Sequence, residues 1–371
     1  MGSSKIRRKP TADGASPSTF RYGDRFGRYV ITGFAGTGAT SYVYRARRYD
    51  SVDSVALKVL HPDLVADPRK RRKFFHEARL MLRMDHPNVV RFREIVETDG
   101  RVGFVMNYIE GLTLDDWLER RAGELDEKTL TTLFIDILRG VAHAHEAGVI
   151  HRDLKPSNIM ITDNGSRLRA KILDFGVARF ADREPHPDER DKIVGTAAYI
   201  SPEEVARPDQ VCRASDLYSL GVMLYEAATG HLPFASREPR RLLRAHAREQ
   251  PRSPRRYNPD LSRALEDVIM RTLEKDPNGR FESADKMIDR LERAVREMFR
   301  SGEAGRRGAE SAETREWSTR PTADTAESGR ADERGLLESL RRAVGWFDSD
   351  DSREDPGDPG RNPRGGPPRP P

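Results

Sequence analysis

The chain has 371 residues, enough for one large or two smaller domains with appendages. Its 65 Lys+Arg against 60 Asp+Glu leave a formal net charge of only +5, so the basic pI of about 9.3 reflects many arginines rather than one strong field, and nucleic-acid binding is not expected. Cys212 is the single cysteine, which excludes an intramolecular disulfide. No apolar run approaches a membrane span or a signal-peptide core, so a soluble, cytoplasmic chain is expected.

Residues 1–27 are rich in Ser, Thr, Gly, Pro and charge without apolar period, and read as a flexible leader. Apolar and β-branched runs at 29–34, 42–46, 54–60, 91–97 and 102–108 predict five short strands, interrupted by one helical segment from about Pro68 to Met84. From Leu112 onward the period becomes helical, at 112–121, 130–148, 215–230, 261–275 and 283–299. Two loops that separate helix from short strand lie between, at the junction of a β-rich and an α-rich lobe, where clefts form. Beyond about residue 300 charge alternates with Ala, Ser, Gly and Pro, which predicts a disordered tail over 300–371. Its one exception is 335–347, where Leu336, Leu340, Val344 and Phe347 share a helical face that would suit a docking partner.

Those two loops carry the chemistry. Residues 151–158 read HRDLKPSN, and 174–176 read DFG. An aspartate (Asp153), a lysine (Lys155) and an asparagine (Asn158) on one tight loop, facing a second aspartate (Asp174), suit phosphoryl transfer from a nucleotide. The carboxylate can orient a hydroxyl, the ammonium can neutralise a phosphoryl group, and Asn158 and Asp174 offer the hard oxygens that Mg²⁺ prefers. In the first half, Gly36 and Gly38 of GTGATSYVY lie in a turn between two strands, where missing side chains let backbone N–H groups approach phosphates. Lys58, in VALKVL, is a charge inside an apolar strand, which is costly unless paired.

Together these motifs resemble the protein kinases, specifically the eukaryotic-like (Hanks-type) bacterial Ser/Thr protein kinase family, over roughly residues 28–295. The resemblance implies an α+β, bilobal protein kinase-like fold with a small β-rich N-lobe, about 28–107 with one main helix, and a larger, mainly helical C-lobe, about 108–299. It implies an ATP-dependent serine/threonine protein kinase using Mg²⁺, with Mn²⁺ as a substitute, and protein substrates with Ser/Thr acceptors. It assigns Asp153 as catalytic base and Lys155 as the charge-stabilising lysine of the Ser/Thr branch. Glu77 becomes the partner of Lys58, which also reaches the α and β phosphates. Asn158 and Asp174 become the metal ligands. The nucleotide contacts implied are Gly36, Gly38, Ser41, Val43 and Lys58, with Met106 as gatekeeper and Asn107, Tyr108 and Ile109 as hinge. Ser41 stands where the family has a third glycine, so tuned phosphate contacts are expected. Glu203 is expected to pair with a buried Arg280, Asp216 to hold the catalytic loop through its backbone, and Thr196 to touch the substrate segment.

One departure bears on control. The activation loop, residues 177–195, contains no Ser, Thr or Tyr, so switching by phosphorylation there is not available. Its Asp182, Glu184, Asp188, Glu189 and Asp191 supply carboxylates that can pair with Arg152, or are simply solvated charges. A pseudokinase or scaffold that binds nucleotide or partners without efficient turnover is the alternative reading. A small-molecule phosphotransferase is a third, opposed by the GTAAYISPE segment.

Overall fold

The computed structural model describes residues 20–38, 41–66, 68, 75, 78–79, 81–120, 126–165, 167–174 and 197–297. The start of the leader, Glu77, the activation loop with its acidic residues, Thr196 and the 300–371 tail with its 335–347 segment lie outside the described residues.

The small lobe is built on strands β1 (Arg25–Phe26), β2 (Tyr29–Thr37), β3 (Ser41–Arg48), β4 (Ser54–Leu60), β5 (Phe92–Thr98) and β6 (Arg101–Asn107). They form one antiparallel sheet in the order β1-β2-β3-β4-β6-β5. Alternation along a strand sends successive side chains to opposite faces. On one face Val55, Leu57 and Val59 of β4 join Tyr44, Ala46, Val105 and Phe26 in a closed apolar cluster. Ala56, Lys58 and Leu60 therefore project to the other face, with Met106 and Phe104, toward the main core.

The folded part begins earlier than the expected boundary at 28. Phe26 is wholly buried and stands edge-on to Phe20, with ring centroids 5.4 Å apart. A Cβ built on Gly103 would come within 3.0 Å of the Phe26 ring, so the glycine of β6 leaves the place this ring fills. After β4 comes the short helix α1 (Pro62–Ala66). Of the expected 68–84 helix, the described Pro68, Phe75, Ala78, Arg79 and Met81 are helical.

The large lobe opens with β7 (Leu112–Thr113), which pairs with β8 (Ile159–Asp163), itself paired with β9 (Leu168–Ile172). Its helices are α2 (Leu114–Arg120), α3 (Glu127–Glu146), α4 (Pro202–Ala206), α5 (Arg213–Thr229), α6 (Pro239–Arg248), α7 (Arg263–Thr272) and a last segment, α8, over 284–297. Helix α3 starts where the Asp126 side chain accepts from the Thr129 N–H, a capping bond that satisfies one of the orphan donors of the first turn. Helix α5 ends on Gly230 at φ 71°, a left-handed conformation that glycine adopts without steric cost. Both helices bury most of their length in the main core, and α5 also packs on α7. Among the described residues no helix is long and apolar enough to cross a membrane.

Candidate active site

On the cleft face of the small lobe, β3 and β4 place Val43 directly beside Lys58. One register step along, β4 and β6 place Ala56 beside Met106. Val43, Ala56, Lys58 and Met106 thus share one surface, apolar except for one ammonium. The period-2 pattern from Lys58 points to Ala56, which sequence reasoning did not single out. Met106 is buried, Asn107 accepts a 2.7 Å bond from Arg93 through its side chain, and the Tyr108 ring lies 4.8 Å from the Arg45 guanidinium. Ile109 packs half-buried on the main core.

At the β2–β3 turn the Gly38 N–H donates to the Ser41 carbonyl over 2.8 Å. A Cβ built on Gly36 would meet nothing within 4 Å, so packing does not require glycine there. Ser41 is 2 % exposed, so the residue in place of the third glycine is turned inward rather than displayed on the turn.

Lys58 is only 6 % exposed, and its Nζ donates to the Asp174 carboxylate. A buried ammonium needs such a counter-charge. Glu77, the partner expected from the sequence, lies outside the described residues, and the carboxylate that meets Lys58 is the one expected at the metal.

The catalytic loop is a web of short bonds. Lys155 Nζ donates to Asp153 Oδ2 over 2.8 Å, and Asn158 Nδ2 donates to the Asp153 carbonyl over 2.7 Å and to Oδ2 over 3.2 Å. The Leu173 N–H bonds the Asn158 carbonyl over 2.9 Å, which sets Asp174 next to the loop. Asp153, Lys155, Asn158, Asp174 and Lys58 therefore lie together, across the two lobes.

Beneath the loop, Asp216 accepts from the N–H groups of His151 (2.8 Å) and Arg152 (2.9 Å) and pairs with His145 Nε2 at 2.7 Å. Arg152 sits at φ 63°, a region that costs a non-glycine residue roughly 1–2 kcal/mol, and the two backbone bonds to Asp216 hold it there. Burial opposes the charge on Asp216, yet these bonds outweigh it and keep its carboxyl below the usual range. His151 is wholly buried, and burial pushes its pKa down, so it packs as a neutral ring. Arg152 itself is exposed, so desolvation does not oblige it to find a phosphate-like partner.

Arg280 and Glu203 meet as expected, through two parallel 2.8 Å bonds, with the Arg280 side chain fully buried. Ser215 Oγ donates a further 2.6 Å bond to Glu203, and Arg280 also reaches the Ala214 carbonyl at 2.8 Å. Burial raises the Glu203 carboxyl, but Arg280 and Ser215 more than offset it and leave it low. His145 and Ser215 were not legible as partners. Each lies on a helix whose local pattern announces only an apolar face.

The donor set fits a divalent ion. Both Asn158 amide protons are spent on Asp153, leaving its Oδ1, and one Asp174 oxygen is spent on Lys58. Among the described residues no group of three or more His, Cys, Asp or Glu forms a metal cage. Mg²⁺ needs none, since it is typically held by one or two carboxylates plus phosphate oxygens and water.

Residues 29–290 match the family model described as "Protein kinase domain". The chain belongs to the protein kinase family. Its kinase domain is of the bacterial Hanks-type Ser/Thr class. It is similar to serine/threonine-protein kinase PknB of Mycobacterium tuberculosis, 36 % identical over 265 residues, covering 70 % of this chain and 42 % of that protein. It is also similar to serine/threonine-protein kinase PrkC of Bacillus subtilis, 34 % identical over 261 residues, covering 70 % of this chain and 39 % of that protein. The crystal structure of the Mycobacterium tuberculosis PknI kinase domain superposes with a TM-score of 0.59 at 25 % identity, covering 74 % of this chain and 99 % of that one. The kinase chain spans about two fifths of the length of the curated relatives it matches.

Proposed function

We propose that this chain transfers the γ-phosphoryl group of ATP to Ser and Thr hydroxyls of protein substrates. The observation that supports this most directly is the approach of Lys58 and Asp174 across the cleft, beside the Asp153–Lys155–Asn158 loop. Asp153 accepts the hydroxyl proton of the acceptor, and Lys155, bonded to the same carboxylate, stabilises charge on the transferred phosphoryl group. Asn158 and Asp174 would hold Mg²⁺, which would neutralise phosphate charge. Lys58 and the glycine turn at Gly36 and Gly38 hold the phosphates, while Val43, Ala56 and Met106 give the base an apolar surface and residues 107–109 form the hinge.

Control does not run through phosphorylation of residues 177–195, which offer no hydroxyl. Incubation with Mg²⁺ and γ-labelled ATP on a generic basic protein, followed by phosphoamino-acid analysis, tests the reading. Label on Ser and Thr supports it. Nucleotide binding without any transfer would instead make the chain a scaffold.

A further inference from the structure

Helix α6 is amphipathic with an unusual outer face. Leu242, Ala245 and His246 are buried, whereas Arg240, Arg241, Arg244 and Arg248 are exposed. Residues 237–256 carry eight arginines, no lysine and two acids, Glu238 and Glu249. Among the described residues no carboxylate forms an ion pair with any of the four exposed arginines of the helix.

This arrangement costs the helix stability. Arg240, Arg244 and Arg248 repel one another at i, i+4 and i+8, and Arg240 and Arg241 stand at the positive end of the helix dipole, whose first turn has no acid. A face kept only for solubility would mix signs, as surface helices usually do. The helix also has a definite place. Leu242 and Ala245 pack with Phe234 and Ala197, the residue that follows Thr196, and α6 packs on α4, which carries Glu203. The helix that carries these arginines is therefore anchored beside Ala197, at the described end of the segment on which an acceptor polypeptide would lie.

We infer that the arginine face of α6 docks an acidic segment of the protein substrate, outside the phosphoryl-transfer site. The inference rests on the proposed kinase function for the identity of the bound chain. Guanidinium forks match carboxylates bidentately, which favours arginine over lysine here. From Arg240 to Arg248 the helix runs about 12 Å. An extended peptide covers that with about four residues, so a short run of Glu and Asp suffices. Nucleic acid is disfavoured by the near-balanced charge of the whole chain. A membrane is disfavoured because the apolar residues of the helix face inward.

The test uses the full chain and the triple variant Arg240→Gln, Arg244→Gln, Arg248→Gln. Binding of a fluorescent Glu-rich peptide is followed by anisotropy at two salt concentrations. The wild type should bind it in a salt-sensitive manner, and the variant should bind at least about tenfold more weakly. An acceptor peptide with a Glu-rich extension should show a lower KM than the same peptide without it, at unchanged kcat, and the variant should lose that difference. Equal peptide affinity in the two proteins overturns the inference. So does tighter wild-type binding of duplex DNA or phosphatidylserine vesicles than of the peptide. If neither acceptor is labelled by the wild type, the kinase reading has failed, and the anisotropy still decides whether α6 binds acidic peptide.

Discussion

The Lys58 ammonium, carried on β4 of the small lobe, is bonded to the Asp174 carboxylate, which follows β9 of the large lobe. One ion pair thus links the two halves of the cleft at the point where phosphate and metal charge would meet. Replacing Lys58 with Met keeps a long, flexible side chain in an apolar strand but leaves Asp174 without its cation. We expect phosphoryl transfer to fall by about 10²–10³-fold, as for loss of one electrostatic donor at a reacting centre. Steady-state kinetics alongside thermal melting check this, and the melting curve should change far less than the rate.

The Arg280–Glu203 pair is a folding element. Removing either partner strands a buried charge, so Arg280→Ala or Glu203→Ala should cost about 3–5 kcal/mol. Urea unfolding of each variant measures it. The double variant should be less destabilised than the sum of the singles, because neither charge is then left alone.

Asp216 acts on the reaction through the loop it holds. Asp216→Ala releases the N–H groups of His151 and Arg152, and Arg152 no longer has a reason to stay at φ 63°. Displacement of Asp153 by about 1 Å would lower kcat by about a hundredfold. Nucleotide affinity should change little, because Asp216 is remote from the small-lobe face. Comparing kcat with the Kd for ATP separates the two effects.

Stability should decline as pH falls below neutrality. Burial lowers His86 from 6.5 to about 4 and, with the Lys275 ammonium nearby, His246 from 6.5 to about 3. Burial lowers His151 as well. These folded-state imidazoles refuse protons that the unfolded chain accepts below 6.5. Their contribution is therefore complete above that value and shrinks as pH falls toward the folded values. Asp216 and Glu203, whose carboxyls are held low, add a further loss in stronger acid. Urea midpoints at about pH 7 and about pH 5 should fall in that order.

Gly111, at the crossing from hinge to β7, has no room for a side chain, since a Cβ there would collide with the Ile161 carbonyl oxygen. Gly111→Ala should cost about 1–3 kcal/mol and disturb the lobe junction. Thermal melting with and without ATP would show it as a lower Tm and a smaller nucleotide-induced shift.

The small lobe was legible because its strands alternate cleanly. Once Val55, Leu57 and Val59 are placed on one face, Lys58 must lie on the other. Strand β1 was not legible, since Arg25–Phe26 is only two residues long and is fixed by the space above Gly103, a contact made far along the chain. Helix α6 was missed for another reason. Pro239 at its first turn and Leu242 with Ala245 carry a helical signal, but the density of arginine around them reads as loop. Within the site, residue types at fixed spacing pointed to Asp153, Lys155, Asn158 and Asp174. The bond from Lys58 to Asp174 was not foreseen, because it depends on how the lobes meet.

The most direct test of phosphoryl transfer through Asp153 compares the wild type with Asp153→Asn under Mg²⁺ and γ-labelled ATP, with nucleotide binding measured on the same samples. The account predicts label on Ser and Thr for the wild type, and a loss of about 10²–10⁴-fold for Asp153→Asn at unchanged nucleotide affinity. Transfer by Asp153→Asn at the wild-type rate, or a wild type that binds ATP and transfers nothing, would contradict it.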